Sequence, residues 1–139
     1  MSDQIKHECG IALIRLLKPL KFYQKKYGSK SYGVNKMYLM MEKQHNRGQD
    51  GAGLATVKIG AKPGEKYIFR ERSSAKQPIQ EVFTRVSERI AASEEMEGNV
   101  PFQAELLLGH VRYGTFGKNN IESVHPFLRQ NNWTHRNLI

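Results

Sequence analysis

Cys9 is the only cysteine in 139 residues, and it stands at the head of the apolar run Cys9-Gly10-Ile11-Ala12-Leu13-Ile14-Arg15-Leu16. A lone thiol is either a small buried hydrophobe or a nucleophile, and a nucleophile needs a base to take its proton. A free thiol has a pKa of about 8.5 and an α-amine one of about 7.7–8.0. A cysteine at the first position of a chain therefore carries its own base. For Cys9 that arrangement requires loss of the polar leader Met1–Glu8. Two more stretches combine cations with close-set glycines: HNRGQDGAG (45–53) and LGHVRYGTFG (108–117). The guanidinium of Arg112 can hold a carboxylate bidentately. Arg47 reads either as part of a site or as a cation favoured at a helix end. Asp50 suits turn-building better than reaction, and His110 reads as a satisfied structural histidine rather than a base. His7, His45, His110, His125 and His135 are scattered without zinc-ligand spacing, and no phosphate-binding P-loop pattern occurs. We expect no metal and no cofactor.

The elements that must position these residues follow from periodicity. CGIALIRL reads as a buried strand. Residues 18–33, with Pro19, Gly28 and Gly33, form a loop or a broken helix. Val34, Met37, Tyr38 and Met41 share one helical face, with Asn46 and Gly48 ending the helix. Glycines 48, 51 and 53 predict a close-approach turn that feeds a strand over 54–59. AKPGEK is a turn and YIFRER a second strand, giving a hairpin. Pro78 opens another helix, whose apolar face is Ile79, Val82, Phe83, Val86 and Ile90. EEMEGNVP is a polar linker. AELLLGHVRYGTFG is a buried strand running into a turn, and WTHRNLI starts one more strand, inside which the chain stops. The order predicts a mixed sheet packed against helices.

Composition bounds the class. The length suits one domain. A single cysteine excludes a disulfide framework, and MSDQIKHE lacks the apolar core of a signal peptide. No apolar stretch is long enough to span a bilayer. A cytoplasmic protein without a membrane partner is expected. The net charge is +9. Residues 1–47 hold ten Lys/Arg against three Asp/Glu, whereas residues 48–97 hold eight of each. The excess lies mainly in LKPLKFYQKKYGSKSYGVNK, where aromatics alternate with lysines. Such a pattern can contact phosphates and stack bases. It is more commonly a solvated face, so nucleic acid is a rival rather than the leading partner.

Cys9-Gly10-Ile11, MEKQHNRGQDGAG and GHVRYGTFG with the following VHPF, in this order, resemble the glutaminase domain of class II glutamine amidotransferases, a family of N-terminal nucleophile hydrolases. The likeness runs from Cys9 to Ile139, with residues 1–8 as a propeptide-like leader. It implies an α+β fold, a four-layer αββα sandwich that is incomplete in this chain. It implies Cys9 as nucleophile, Arg47 holding the cysteine and the backbone of Gly48 receiving its amine. Arg112 would anchor the α-carboxylate of glutamine, Thr115 would add a hydroxyl contact, and Gly117 would keep the turn open. Gly114 departs from the serine or proline usual there. An Asn-Gly pair beyond Ile139 would supply oxyanion donors, so residues 9–139 alone would be nearly inactive. Ammonia would pass to a synthase domain, absent here, that binds phosphoribosyl pyrophosphate for purine synthesis, in an enzyme that forms homo-oligomers. The domain would need no cofactor. The basic excursion 17–33 departs from the family. The rival readings are a catalytically silent relative acting as a binding module and a basic nucleic-acid-binding protein.

Overall fold

The computed structural model describes residues 9–44, 50–94, 99–113 and 120–128. Its centre is a four-stranded sheet of β1 (Gly10–Arg15), β2 (Gly51–Val57), β3 (Ile68–Ser73) and β4 (Leu106–Arg112), in the order β1-β4-β2-β3. Every neighbouring pair is antiparallel. The expected mixed sheet is thus corrected. β1 and β2 run the same way, but β4 lies between them and opposes both. The class is α+β, and the described residues form three α-helices: α1 (Leu20–Tyr27), α2 (Tyr32–Lys43) and α3 (Pro78–Glu94).

Strand alternation divides the sheet into two unlike faces. One carries Ala12, Leu54, Phe69, Leu107 and Val111, all buried. Against it pack Val34, Met37 and Met41 of α2 and Ile79, Val82, Phe83, Val86 and Ile90 of α3. These are the helical stripes the sequence predicts, and Pro78 opens α3 as expected. Gly109 lets α2 lie close to the sheet. A β-carbon there would stand 2.6 Å from Met37 Sδ and 2.8 Å from Met41 Sδ. Phe102, fully buried before β4 with φ of 63°, closes the same core beside Phe69 at a ring-centroid distance of 5.8 Å. A left-handed backbone at an aromatic residue is costly, and burial of the whole ring offsets that cost.

Among the described residues, the other face has no helix on it. Ile11 and Leu13 of β1 are 66% and 62% exposed, and Leu108 of β4 lies beside them in register. Of the described residues, only the segment around Val124–Phe127 crosses this side. The Arg72 guanidinium donates to the Val124 carbonyl at 2.8 Å, and that of Arg70 donates to the Pro126 carbonyl at 3.3 Å.

Other boundaries shift slightly. β2 starts at Gly51, not Leu54, because Gly51, Ala52 and Gly53 already pair with β4. Ladder hydrogen bonding outweighs the preference of glycine for turns there. Residues 18–33 do hold a broken helix: α1 ends at Tyr27 and α2 begins at Tyr32. The predicted end of α2 at Asn46 and Gly48, and the strand from Trp133, lie outside the described residues. Among the described residues, no helix is long and apolar enough to cross a membrane.

Candidate active site

Strand polarity brings described residues of all three motif segments to one end of the sheet. β1 begins there with Gly10 opposite Val111, and β4 ends there at Arg112. β2 begins there with Gly51 opposite Arg112. Cys9, just before β1, is exposed. Its thiol points to the Tyr113 carbonyl at 3.9 Å, a weak contact suited to a sulfur donor. The Asp50 amide donates to the Arg112 carbonyl at 3.0 Å. The end of α2 is tied to the same place. The Gln44 side-chain amide donates to the Ile11 carbonyl at 3.2 Å, and the Tyr113 hydroxyl donates to the Gln44 carbonyl at 3.1 Å.

Of the predicted site residues, Cys9 and Arg112 therefore sit at one edge, separated by β-ladder geometry rather than by sequence distance. Arg47 and Gly48 lie outside the described residues, between Gln44 and Asp50, which both stand at this end. Thr115 and Gly117 also lie outside them, beyond Tyr113. The leader 1–8 does too. Arg112 is 8% exposed and stands on the helix-free face, in register with Gly51. A nearly buried guanidinium is a strong anion anchor, because little water competes for it.

His110 shares that face and corrects its sequence reading. Its Nδ1 is buried and has no hydrogen-bond partner among the described residues, so it is not a satisfied histidine. Its ring lies 4.7 Å from that of His125, which in turn lies 4.0 Å from Phe127. A hollow of about 280 Å³ opens here, lined by Ile11, Leu108, His110, His125, Pro126 and Phe127. Burial, then the neighbouring His125 and Arg112 charges, lower the His110 pKa to about 4. The ring is neutral at pH 7, and so low a pKa makes it a weak proton acceptor. No three His, Cys, Asp or Glu side chains gather into a metal-binding group among the described residues.

The depressed value has a definite sign. An unfolded histidine titrates near 6.5. Between pH 6.5 and 4 the unfolded chain binds more protons, so stability falls as pH falls through that window. Urea unfolding at pH 7 and pH 4.5 should show a loss on the order of 2 kcal/mol in the native protein beyond that of His110→Phe. Equal losses in the two proteins would remove His110 from the pH response.

Gln44, Tyr113 and His125 were not singled out in the sequence as site residues. VHPF marked the neighbourhood of His125 without showing what it touches. Nothing in residue type or spacing reveals that two backbone carbonyls and a glutamine side chain tie these segments together. The chain matches no family model, no curated protein and no solved structure.

Proposed function

We propose that the chain is the N-terminal part of a class II glutamine amidotransferase domain, most like that of amidophosphoribosyltransferase, with Cys9 as its nucleophile. The observation that carries the reading is the shared sheet end. The exposed thiol of Cys9 reaches toward Tyr113, the residue after the Arg112 anchor, and Asp50 of the second motif bonds to Arg112 itself. A thiol and a nearly buried guanidinium at one edge suit a substrate with a carboxylate at one end and an amide at the other.

In this reading the free amine of Cys9, exposed by loss of residues 1–8, accepts the thiol proton. The sulfur attacks the side-chain amide carbon of glutamine, and an S–C bond forms. The C–N bond then breaks, and the amine returns the proton to the leaving nitrogen as ammonia departs. Water cleaves the γ-glutamyl thioester to give glutamate and the free thiol. Arg112 holds the α-carboxylate throughout, while Arg47, Gly48, Thr115 and Gly117 complete the site. The ammonia goes to phosphoribosyl pyrophosphate on a synthase domain, and this domain needs no cofactor of its own. A second observation favours the four-layer αββα fold. Among the described residues the sheet has helices on one face only, and exposed Ile11 and Leu13 leave the other face suited to a second sheet.

Arg112→Ala tests the anchor. A hydrogen bond to a charged group is worth about 1.5–3 kcal/mol, or roughly 10–150-fold. The KM for glutamine should rise by that factor with kcat nearly constant, if the contact is equal in ground and transition states. An unchanged KM overturns the assignment. Intact mass of the active full-length enzyme tests the nucleophile: an active species that retains Met1–Glu8 or Ser2–Glu8 rejects it and favours the silent binding module.

A further inference from the structure

The basic segment from Leu17 to Lys36 plays no part in the glutaminase reading, and the structure gives it a defined shape. No Asp or Glu occurs between Glu8 and Glu42, while Lys18, Lys21, Lys25, Lys26, Lys30 and Lys36 do. α1 follows the last residue of β1, whereas Cys9 precedes the first. A strand rises about 3.3 Å per residue, so α1 stands roughly 20 Å from the thiol. α1 buries only Tyr23, and it adds little to the core. A stack of three tyrosines fastens it to α2: the Tyr23 and Tyr27 rings lie 5.0 and 4.5 Å from that of Tyr32, each inclined by 20°.

Two aromatic rings remain in solvent on this element. Tyr27, at one end of the stack, is 51% exposed, and Phe22 is 40% exposed. Among the described residues the ion pairs all belong to Arg85 and Arg89, and none neutralises these lysines. The ammonium groups of Lys18, Lys26 and Lys36 rest on rings instead. Lys26 Nζ lies 5.7 Å from the Phe22 centroid and 5.5 Å from that of Tyr27, and Lys36 Nζ lies 5.6 Å from that of Tyr32.

We propose that α1 and the start of α2 bind single-stranded nucleic acid, with lysines on its phosphates and bases stacked on Phe22 and Tyr27. Unneutralised lysines beside exposed rings supply both attractions that single strands use. The other polyanions fit less well. A duplex hides its base faces and would leave the rings without partners. An anionic membrane needs a continuous apolar face to bury, whereas Lys21, Gln24, Lys25 and Lys26 interrupt the exposed side of α1. An acidic protein would engage the lysines alone. The sequence favoured a solvated face. The ring stack and the absence of paired carboxylates on this surface revise that expectation, independently of the glutaminase reading.

Fluorescence anisotropy with labelled 20-nucleotide oligouridylate and oligothymidylate tests this on the 139-residue chain. Four neutralised phosphates give a salt slope of about −0.7 each. Affinity should fall roughly fiftyfold between 50 and 200 mM salt. Lys21→Glu/Lys25→Glu should weaken binding at least about tenfold, and Lys21→Gln/Lys25→Gln should weaken it in the same direction. Neither lysine is part of the ring packing. Lys62→Glu/Lys76→Glu makes the same charge change on other exposed lysines and should leave affinity nearly unaltered. Phe22→Ala should weaken single-strand binding about tenfold and leave polyglutamate binding unchanged. Binding of either oligonucleotide with this pattern supports the proposal and shows which sugar is preferred. Absence of salt-dependent binding overturns it. So does equal loss in the two double Glu variants, or equal or tighter binding of duplex DNA, polyglutamate or phosphatidylserine vesicles.

Discussion

Cys9→Ser, in a protein that begins at residue 9, should lower the proposed glutamine hydrolysis by about 10³-fold or more while glutamine still binds. The magnitude follows from the step that is lost. A serine hydroxyl is a far weaker nucleophile than a thiol at neutral pH, and removing a hydrolase nucleophile costs up to about 10⁶-fold in kcat. The geometry gives the reason for retained binding. Arg112, the proposed anchor, is fixed by the ladder between β4 and β2, and that ladder contains no atom of Cys9. Serine is close to cysteine in size, and the Cys9 side chain is exposed, so the fold is unaffected. Glutamate release and calorimetric titration with glutamine measure the two quantities separately. In the proposed amidotransferase, ammonia-dependent synthesis should persist, because the acceptor half of such an enzyme would not use the thiol. A variant retaining a tenth of the hydrolysis would exclude Cys9 as nucleophile.

Gly53→Ala should destabilise the chain by about 3 kcal/mol, or roughly 10 °C in Tm for a domain of this size. Gly53 lies in β2 on the helix-free face, opposite His110 and Arg72. A β-carbon there would collide with the His125 carbonyl oxygen and would lie 2.6 Å from Pro126 Cδ and 2.8 Å from the His125 carbonyl carbon. The obstacles are backbone and a proline ring, which cannot rotate aside as a lysine tip can. Relief requires lifting Val124–Phe127 from the sheet. That would stretch the Arg72–Val124 and Arg70–Pro126 hydrogen bonds and open His110 to water. The histidine pKa should then move back from about 4 toward 6.5, which imidazole proton shifts would register. Gly60→Ala is the matched control. A β-carbon at Gly60 meets nothing within 4 Å, and its effect should stay within about 0.5 kcal/mol. Equal melting temperatures for the two variants would show that the segment does not press on Gly53.

Local physics explains how much of this was legible in advance. The helix faces of α2 and α3 were readable because a 3.6-residue period records which side meets a sheet. The hairpin of β2 and β3 was readable from its turn residues. The start of β2 was not, because Gly51 and Gly53 carry no strand preference; pairing with β4 holds them there. His110 was misread for a similar reason. Its type and position do not show that His125 arrives against it from fifteen residues later.

The sequence by itself determined the elements, their apolar faces, the basic surplus before residue 48 and the candidate chemistry of Cys9 and Arg112. Each depends on residue type and short-range spacing. Only the tertiary structure decided that β4 runs between β1 and β2. That order makes the sheet wholly antiparallel and sets Cys9, Asp50 and Arg112 at one end. It also decided that α2 and α3 pack on one sheet face, and that Val124–Phe127 crosses the other over Gly53. Strand order depends on which edges meet after the chain has folded back over tens of residues. No local preference carries that information, because ladder hydrogen bonds form equally well from any backbone.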